Sequence, residues 1–214
     1  MKTDIFNIKG TWQSVVNACR TTVSKPPLGQ DPSHNFKVDI LIAEHSPIRK
    51  LYVEWNWQRI KSWIATHWSR HKWECFISTQ RDDRTGVPRD DLGQGEAVNF
   101  EGEANAQQLI DTWRKRLCGQ AHPETRQYAE DFKVALSEVE PELSDVLVPN
   151  CVYRCGCPEM QMCKELIWVK FKQWCMGHGV EVEKTTIKRR YELYKEWFYT
   201  VWMKKAGGLS DDKR

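Results

Sequence analysis

The chain has 214 residues, which is enough for one domain with a short appendage. Its 32 basic and 29 acidic residues leave a net charge of +3, whereas a general nucleic-acid-binding protein shows a strong basic excess. No apolar run reaches membrane-spanning length and the first residues open no signal peptide, so we expect a cytoplasmic protein without a membrane partner. In that compartment the eight Cys predict thiols or metal ligands rather than disulfides.

The first part of the chain carries alternating strand and helix signals. Residues 5–8 alternate weakly, which is compatible with an opening strand. Thr11 precedes apolar residues at helical spacing, which predicts a capped helix over 12–23. The apolar run over 36–43 fits either a helix or a strand, because its periodicity does not decide between them.

The middle of the chain predicts a sheet with helices around it. Residues 51–57 alternate cleanly between apolar and polar, as a half-buried strand does. Trp63, Ile64 and Trp68 recur at helical spacing, and we expect them to pack in the core. The predicted strands lie near 51–57, 73–80 and 97–101, and the predicted helices near 59–69, 105–118 and 123–139. The expected fold class is α+β, with an antiparallel β-sheet flanked by α-helices.

Residues 69–84 combine a short β-prone centre with a concentration of basic side chains. Five of these are cationic or can become so: Arg70, His71, Lys72, Arg81 and Arg84. Arg binds phosphate oxygens in pairs and Lys adds a point charge, so the stretch suits a phosphate-bearing ligand. A solvated charged loop has the same composition and remains the alternative.

Asn105 and Arg116 are expected on one face of the helix that follows. They are eleven residues apart, close to three whole turns, so their side chains point the same way. An amide and a guanidinium on a shared face suit an anionic, heteroaromatic ligand. An exposed Arg near a helix end is the alternative.

The Cys-rich stretch after residue 150 has no standard zinc spacing. Its pattern is C-x3-C-x-C-x5-C, formed by Cys151, Cys155, Cys157 and Cys163. Because the paired C-x2-C knuckle is missing, buried or redox-active thiols are favoured and no metal ligand is assigned. Cys175 and His178 lie further along and leave a metal site open as an alternative.

The sequence suggests three segments: residues 1–150 as the main domain, 151–182 as a Cys-rich segment, and 183–214 as a basic aromatic helix with a tail. An aromatic stripe on the last helix predicts packing against the body of the protein or another subunit. The basic face of that helix leaves nucleic-acid binding as a less favoured alternative.

Three motifs follow one another within residues 36–140. The first is Glu44-His45-Ser46-Pro47 before the predicted strand. The second is Arg70-His71-Lys72 followed by Thr79-Gln80-Arg81, and the third runs from Asn105 to Arg126. In this order they resemble the flavin-dependent thymidylate synthases (thymidylate synthase-complementing proteins), whose signature is Arg-His-Arg, a short spacer and Ser-x-Arg. The ordered set is much more specific than any one motif.

The resemblance implies a homotetramer that binds FAD, dUMP, NADPH and methylene-tetrahydrofolate and makes dTMP. It implies that Arg70 and Arg81 hold dUMP, that Thr79 replaces the motif Ser beside the pyrimidine, and that Arg116 contacts the substrate and acts as the catalytic residue. The residues implied to contact FAD are His45, Ser46, Arg70, His71, Lys72, Asn105 and Gln120. Cys75 lies in the signature, and a buried strand thiol is favoured there over a nucleophile.

The chain also departs from the family pattern. Lys72 stands where the family has Arg, Ile77 replaces an acidic residue, and Gln107 and Gln120 replace an Arg and a His. The helical insert that the family carries before the Asn helix is reduced here to residues 85–104. We therefore expect a compact member of the kind found in viral genomes. A nucleotide-binding protein that has lost catalysis on the same scaffold is the alternative.

Overall fold

A four-stranded antiparallel sheet forms the centre of the molecule, in a computed structural model that describes residues 3–204. The strand order across the sheet is β1-β2-β4-β3, so β2 and β4 are the inner strands. The strands are β1 (Thr3–Lys9), β2 (Tyr52–Lys61), β3 (Glu74–Ile77) and β4 (Ala97–Asn105).

Ten α-helices surround the sheet in the described chain, which confirms the α+β fold class. They are α1 (Trp12–Thr22), α2 (His34–Ala43), α3 (Ser62–Ser69), α4 (Asp82–Thr85), α5 (Ala106–Arg116), α6 (Pro123–Val139), α7 (Pro141–Val146), α8 (Asn150–Tyr153), α9 (Ile167–Gly177) and α10 (Ile187–Trp197). Short 3-10 helices span Ser46–Lys50, Arg89–Asp91 and Val182–Lys184, and a π-helical turn spans Phe198–Trp202. In residues 3–204, none of the helices is both long and apolar enough to cross a bilayer.

The inner strands bury one face of the sheet under aromatic side chains. The clean alternation in β2 places Val53, Trp55 and Trp57 on that face, fully buried. Trp55 lies opposite Gly102 of β4, and a Cβ on Gly102 would collide with the indole ring. The absence of a side chain there therefore lets the ring lie flat on the neighbouring strand.

Helices α5 and α6 cover the buried, aromatic face of the sheet. The ring of Trp113 in α5 lies 4.2 Å from that of Phe132 in α6, and Phe132 lies 5.1 Å from Trp55. The indole N–H of Trp113 donates to the Ala129 carbonyl at 2.9 Å. Because α5 begins directly after β4, this packing fixes the helix end that borders the candidate site.

Several predicted boundaries match and others are wrong. Helix α6 has the predicted bounds, and the ambiguous run over 36–43 is helical, capped by Ser33. The helix predicted from residue 59 begins only at Ser62, because β2 continues to Lys61 through a bulge in which Arg59 has a φ of 55°. Such a bulge shifts the register, so Ile60 returns to the core.

Other predicted elements also need correction. The strand predicted over 73–80 spans only Glu74–Ile77. Two helices were not predicted: α7, which begins at Pro141, and α9, which lies in the Cys-rich segment. Asn105 is the N-cap of α5 rather than a residue within it.

The C-terminal helix packs on the body through its aromatic stripe. Tyr191, Tyr194 and Trp197 of α10 are buried, in the same core as the sheet. On its polar face Lys188 pairs with Asp39 and Lys195 with Asp145, each at 2.8 Å. The predicted packing is confirmed, although the helix starts at Ile187 instead of residue 183. Residues 205–214 of the predicted tail lie outside the described residues, and the three-segment division stays a prediction.

Lys133 is a fully buried amine that joins α6 to α7. Its Nζ donates to the Ser144 carbonyl, while the Ser144 hydroxyl donates to the Lys133 carbonyl at 2.8 Å. Burial lowers the pKa of Lys133 from 10.5 to about 7, with Asp145 opposing the shift and Lys195 adding to it. The neutral amine is therefore the favoured form above neutral pH.

This predicts that protein stability rises with pH above about 7 through Lys133. Between about pH 7 and about pH 10 the unfolded chain holds the extra proton, so the free energy of unfolding increases by up to about 1.4 kcal/mol per pH unit. Urea unfolding at several pH values should show that Lys133→Met loses this slope while exposed Lys184→Met keeps it. Parallel pH profiles for the parent and Lys133→Met would contradict the assignment.

Candidate functional site

Arg70, His71 and Lys72 lie in the loop between α3 and β3, against the start of α5. Arg70 is the C-cap of α3, and the chain turns there toward β3. The Gln108 amide donates to the Lys72 carbonyl, which ties this loop to α5. Gln108 also accepts from the Asn105 N–H at 2.8 Å, and Asn105 accepts from the Gln108 N–H at 3.0 Å. This reciprocal capping box fixes the loop and the helix end as one unit.

A cavity of about 500 Å³ opens between the loop and α5. Four of its lining side chains are basic and one is acidic: Arg49, Arg70, Lys72, Lys115 and Asp111. A second cavity of about 390 Å³ adjoins it and shares Lys72, Asn105 and Gln108. The four basic groups create a positive field that favours anionic ligands, because cations held together in a concave surface are only partly screened.

Arg116 is held beside this basic cavity by two hydrogen bonds. Its Nε donates to His71 Nε2 at 2.8 Å, and its Nη2 donates to the His67 carbonyl at 2.6 Å. The guanidinium also lies 5.6 Å from the Trp68 ring, in cation–π range. Since His71 accepts at Nε2, its ring proton belongs on Nδ1. The Arg116 guanidinium is thus held in a fixed orientation, and its Nη1 group can still donate hydrogen bonds to a ligand.

Burial, together with nearby positive charge, keeps His71 neutral. Burial, and then the charges of Arg116 and Lys115, lower the pKa of His71 to about 4. Burial and the charge of Arg116 also lower the pKa of His67, whose Nδ1 lies 2.9 Å from the Thr125 hydroxyl. Burial and then nearby Arg70 lower the pKa of the Arg116 guanidinium itself. In each case burial is the largest cause, because it disfavours the charged form, and neighbouring cations add to the shift.

The structure brings five of the predicted site residues together. Arg70, His71, Lys72 and Asn105 line the basic cavity, and Arg116 contacts it through His71. Their roles toward a ligand stay predictions. The Asn105 side chain already accepts from the backbone of α5, so only its amide N–H groups remain for a ligand.

Other predicted site residues lie elsewhere. His45 and Ser46 are exposed and line a separate, mostly apolar cavity of about 670 Å³ against α1 and α2. The Gln120 amide donates to the Gln161 carbonyl at 2.7 Å, facing the Cys-rich segment. Thr79 and Arg81 are exposed, and both fork nitrogens of Arg81 bind the Asp83 carboxylate at 2.9 Å.

Sequence reasoning missed Arg49 and Lys115 as cavity residues. Arg49 lies in the 3-10 turn after Pro47, and the Glu44 carboxylate before this turn binds the Arg114 guanidinium and the Gln107 amide. Arg114 in turn stacks on Tyr153 of α8, 3.6 Å from the ring centre. Lys115 could have been found from its place beside Arg116 on α5. The position of Arg49 depends on a long-range fold and has no local signal.

Comparison of the sequence with known proteins finds no match, whereas comparison of the structure with solved structures does. No protein-family model matches the chain, and none of the curated proteins matches it in sequence. Among solved structures, flavin-dependent thymidylate synthase ThyX from Helicobacter pylori, complexed with FAD and dUMP, has a TM-score of 0.57 at 13% identity, covering 69% of this chain and 100% of that one. A second structure of that enzyme with FAD and dUMP gives 0.56 at 14% identity, with 69% and 99% covered.

A methylase structure is also similar to this chain at low sequence identity. The UMP/dUMP methylase PolB from Streptomyces cacaoi, bound with 5-Br dUMP, has a TM-score of 0.54 at 12% identity, covering 68% of this chain and 93% of that one. The chain therefore shares an α+β fold with these structures. More particularly, it has the fold of the flavin-dependent thymidylate synthases, as the sequence resemblance implied.

The Arg116–His71 contact predicts an unusual histidine titration. In the folded protein His71 should titrate at about pH 4 and carry its neutral-form proton on Nδ1. Nitrogen-15 NMR of the imidazole rings measures both properties. In Arg116→Met the pKa of His71 should rise toward its ordinary value, because the second-largest cause of the shift is removed, whereas Lys50→Met should leave it unchanged. Titration of His71 near its ordinary value in the parent protein would contradict the contact.

Proposed function

We propose that this protein is a cytoplasmic, flavin-dependent enzyme that transfers a one-carbon unit to dUMP. The observation that carries the proposal is the basic cavity beside the preorganised Arg116, in a chain with this fold. The structural neighbours are complexed with FAD and dUMP or with a dUMP analogue, and both ligands carry phosphate groups. Reductive methylation with NADPH and methylene-tetrahydrofolate, giving dTMP, is the specific reaction we propose.

The residues of the basic cavity suit the pyrophosphate of FAD. Arg49, Arg70 and Lys72 supply charge-assisted donors, and Lys115 adds a fourth cation. The adjoining cavity extends the site past Tyr52 and Trp73 and is also lined by Glu74 and Glu103. Together the two cavities fall within the size range of ligand sites, roughly 300–1,000 Å³.

We propose Arg70, Thr79, Arg81 and Arg116 as the residues that hold dUMP, as the sequence resemblance implies. The pairing of Arg81 with Asp83 is compatible with this role, because both side chains are more than half exposed. An exposed pair of this kind contributes only about 0–1 kcal/mol, so a phosphate dianion can displace Asp83 from the guanidinium. Thr79 accepts from the Arg81 N–H at 3.2 Å, which keeps the two residues in one turn.

The chemistry divides between the cofactor and the chain. Bound reduced flavin would supply the hydride, as cofactors supply the difficult step in such enzymes. Arg116 would polarise the uracil ring and stabilise the negative charge that develops on it. His71 and the His67 carbonyl hold that guanidinium in place, so it need not reorganise during the reaction.

A homotetramer with shared sites is part of the proposal. The side chains of Arg70, Thr79 and Arg81 are exposed in the single chain, so another subunit could cover them and exclude water from the site. Light scattering coupled to gel filtration would measure the assembly directly.

A second candidate function is nucleotide binding without catalysis. The observation that favours it is the separation of His45 and Ser46 from the basic cavity, together with the engagement of Arg81 by Asp83. In that case dUMP would still raise the melting temperature by binding the folded state. No dTMP would form when flavin, NADPH and methylene-tetrahydrofolate are all present.

The first test is flavin binding. The purified protein should take up FAD, giving a bound-flavin visible spectrum and quenched fluorescence. Arg49→Ala should weaken FAD binding about tenfold, roughly 1.4 kcal/mol, because it removes one charge-assisted contact. Lys50→Ala is the matched control, since its side chain is exposed beside Arg49 without lining the cavity. A colourless protein with no FAD uptake would refute the proposal.

The second test is turnover. With the complete set of substrates, Arg116→Ala should reduce dTMP formation about 10²–10³-fold, the usual effect of losing a group that stabilises developing charge. Cys75→Ala should turn over close to the parent rate. Burial, and then the charge of Glu74, raise the pKa of the half-buried Cys75 thiol, which makes it a poor nucleophile. Loss of turnover in Cys75→Ala with normal folding would contradict this mechanism.

A further inference from the structure

Two carboxylates line the cavity that adjoins the basic cavity. This adjoining cavity of about 390 Å³ is lined by Glu74 of β3 and Glu103 of β4, and it shares Lys72, Asn105 and Gln108 with the basic cavity. The two cavities are therefore neighbours of opposite character, one rich in cations and the other carrying two acids. A ligand that extends from one into the other must present different chemical groups to each.

The register of the sheet sets the two carboxylates side by side. Glu74 is directly opposite Glu103 in the antiparallel pairing of β3 with β4. Residues in such a pair project from the same face of a sheet with Cβ atoms about 4.5–5.5 Å apart. Asn105, two residues after Glu103 on β4, and Tyr52 opposite it on β2 belong to this same face. One face of the sheet thus forms a wall of the adjoining cavity.

The pairing of these two acids does not serve the stability of the sheet. Like charges directly opposite one another on neighbouring strands destabilise a sheet. Lys9 offsets part of this repulsion by binding Glu103 Oε2 at 2.9 Å, and it also binds Glu54. No cationic side chain of residues 3–204 forms an ion pair with Glu74. Arrangements that weaken a fold without improving its packing are expected at functional positions.

The hydrogen-bonding capacity of the two carboxylates limits what the adjoining cavity can bind. An ionised carboxylate accepts hydrogen bonds and donates none, and the Lys9 contact leaves Oε1 of Glu103 as an acceptor. Hydroxyl groups are uncharged donors that form short, charge-assisted hydrogen bonds to carboxylates. A phosphate group would be repelled by the same two charges. The cavity therefore suits an uncharged group with several hydroxyls, which is the chemistry of a sugar.

We propose that Glu74 and Glu103 accept hydrogen bonds from the hydroxyl groups of the sugar next to the diphosphate of the flavin cofactor. The inference rests on the proposed binding of FAD with its diphosphate in the basic cavity. In FAD the diphosphate joins a ribose to a ribityl chain, and both carry hydroxyl groups. Either half can therefore present donors to the two carboxylates, much as an acidic side chain binds ribose hydroxyls in other dinucleotide-binding folds.

The same two residues determine specificity against phosphorylated sugars. A phosphate on the sugar would set a dianion against both carboxylates and would remove a donor that they need. The adenosine half of NADPH carries such a phosphate, whereas FAD carries none. The adjoining cavity therefore selects FAD over NADPH.

A test by substitution must separate two effects of removing a carboxylate. Glu→Gln removes a charged acceptor, but it also removes repulsion toward the cofactor diphosphate, and the two effects change affinity in opposite directions. The repulsion acts alike on FAD and on a FAD analogue that lacks one sugar hydroxyl. It therefore cancels in the ratio of their dissociation constants, which reports the hydroxyl contact alone.

A control for the loss of charge is present on the same face of the sheet. Asp4 of β1 and Glu101 of β4 are both opposite Asn56 of β2, and neither lines the adjoining cavity. Both side chains are exposed. Glu101→Gln/Asp4→Asn thus removes as much charge as Glu74→Gln/Glu103→Gln and leaves the proposed acceptors in place.

Melting of the ligand-free protein checks the opposed charges without any cofactor. Glu74→Gln should raise the melting temperature by about 1–2 °C, because it relieves the repulsion from Glu103. Glu101→Gln should leave the melting temperature unchanged, since Glu101 is opposite Phe76 and Asn56 rather than an acid. A melting temperature that falls in Glu74→Gln would contradict the arrangement.

The deciding experiment measures binding of FAD and of analogues that each lack one hydroxyl of the ribose or the ribityl chain. At least one analogue should bind the parent protein about tenfold more weakly than FAD, and the missing hydroxyl identifies the half that enters the adjoining cavity. In Glu74→Gln/Glu103→Gln this ratio should fall to about threefold or less, because a neutral amide is the weaker acceptor. In Glu101→Gln/Asp4→Asn the ratio should stay at the parent value.

The outcomes separate this inference from the proposed function. A parent protein that takes up FAD but binds every analogue equally well would overturn the inference and leave the proposed FAD site standing. So would a ratio that is the same in Glu74→Gln/Glu103→Gln as in the parent, or one that falls equally in the control variant. A parent protein that takes up no FAD would overturn both.

Discussion

The structure depends on the contact between Trp55 and Gly102 at the centre of the sheet. A large indole can lie on the neighbouring strand only because that strand has no side chain at the facing position. The same ring is the floor on which Trp113 and Phe132 pack, so it joins the two inner strands to α5 and α6. Because α5 continues directly from β4, the packing of Trp113 on Trp55 also fixes the position of the start of α5, which borders the basic cavity.

The basic cavity holds four cationic side chains together against a single acidic one, Asp111. Arg49, Arg70, Lys72 and Lys115 keep their charged groups near solvent, so each retains part of its hydration. Only Arg116 is half-buried, and its two fixed partners are neutral acceptors, a histidine ring and a carbonyl oxygen. Neutral acceptors hold its geometry without cancelling its charge, which leaves the charge for an anionic ligand.

Much of the fold and part of the candidate site could be predicted from the sequence, for identifiable physical reasons. The alternation of β2 and the helical periods of α1 and α6 are local signals, and they predicted these elements well. Residues 70–72 and Asn105 could be placed together because the ordered motifs implied a known fold. The bulge at Arg59 could not be predicted, because it depends on pairing between β2 and β4. Nor could the use of Arg49 or the packing of Cys163 against Gly119, since both depend on contacts between residues that are distant in sequence.

The stacking of Arg114 on Tyr153 makes the segment after residue 150 a structural support of the site. Arg114 binds Glu44 on one side and Tyr153 on the other, so α8 braces the turn that carries Arg49. A guanidinium with only one of these partners would be free to change rotamer, and Glu44 would move with it. A residue of the Cys-rich segment thus supports the part of the chain that carries Arg49. A shortened chain that ended before α8 would keep all the predicted ligand-binding residues and lose the contact that holds the Arg49 turn in place.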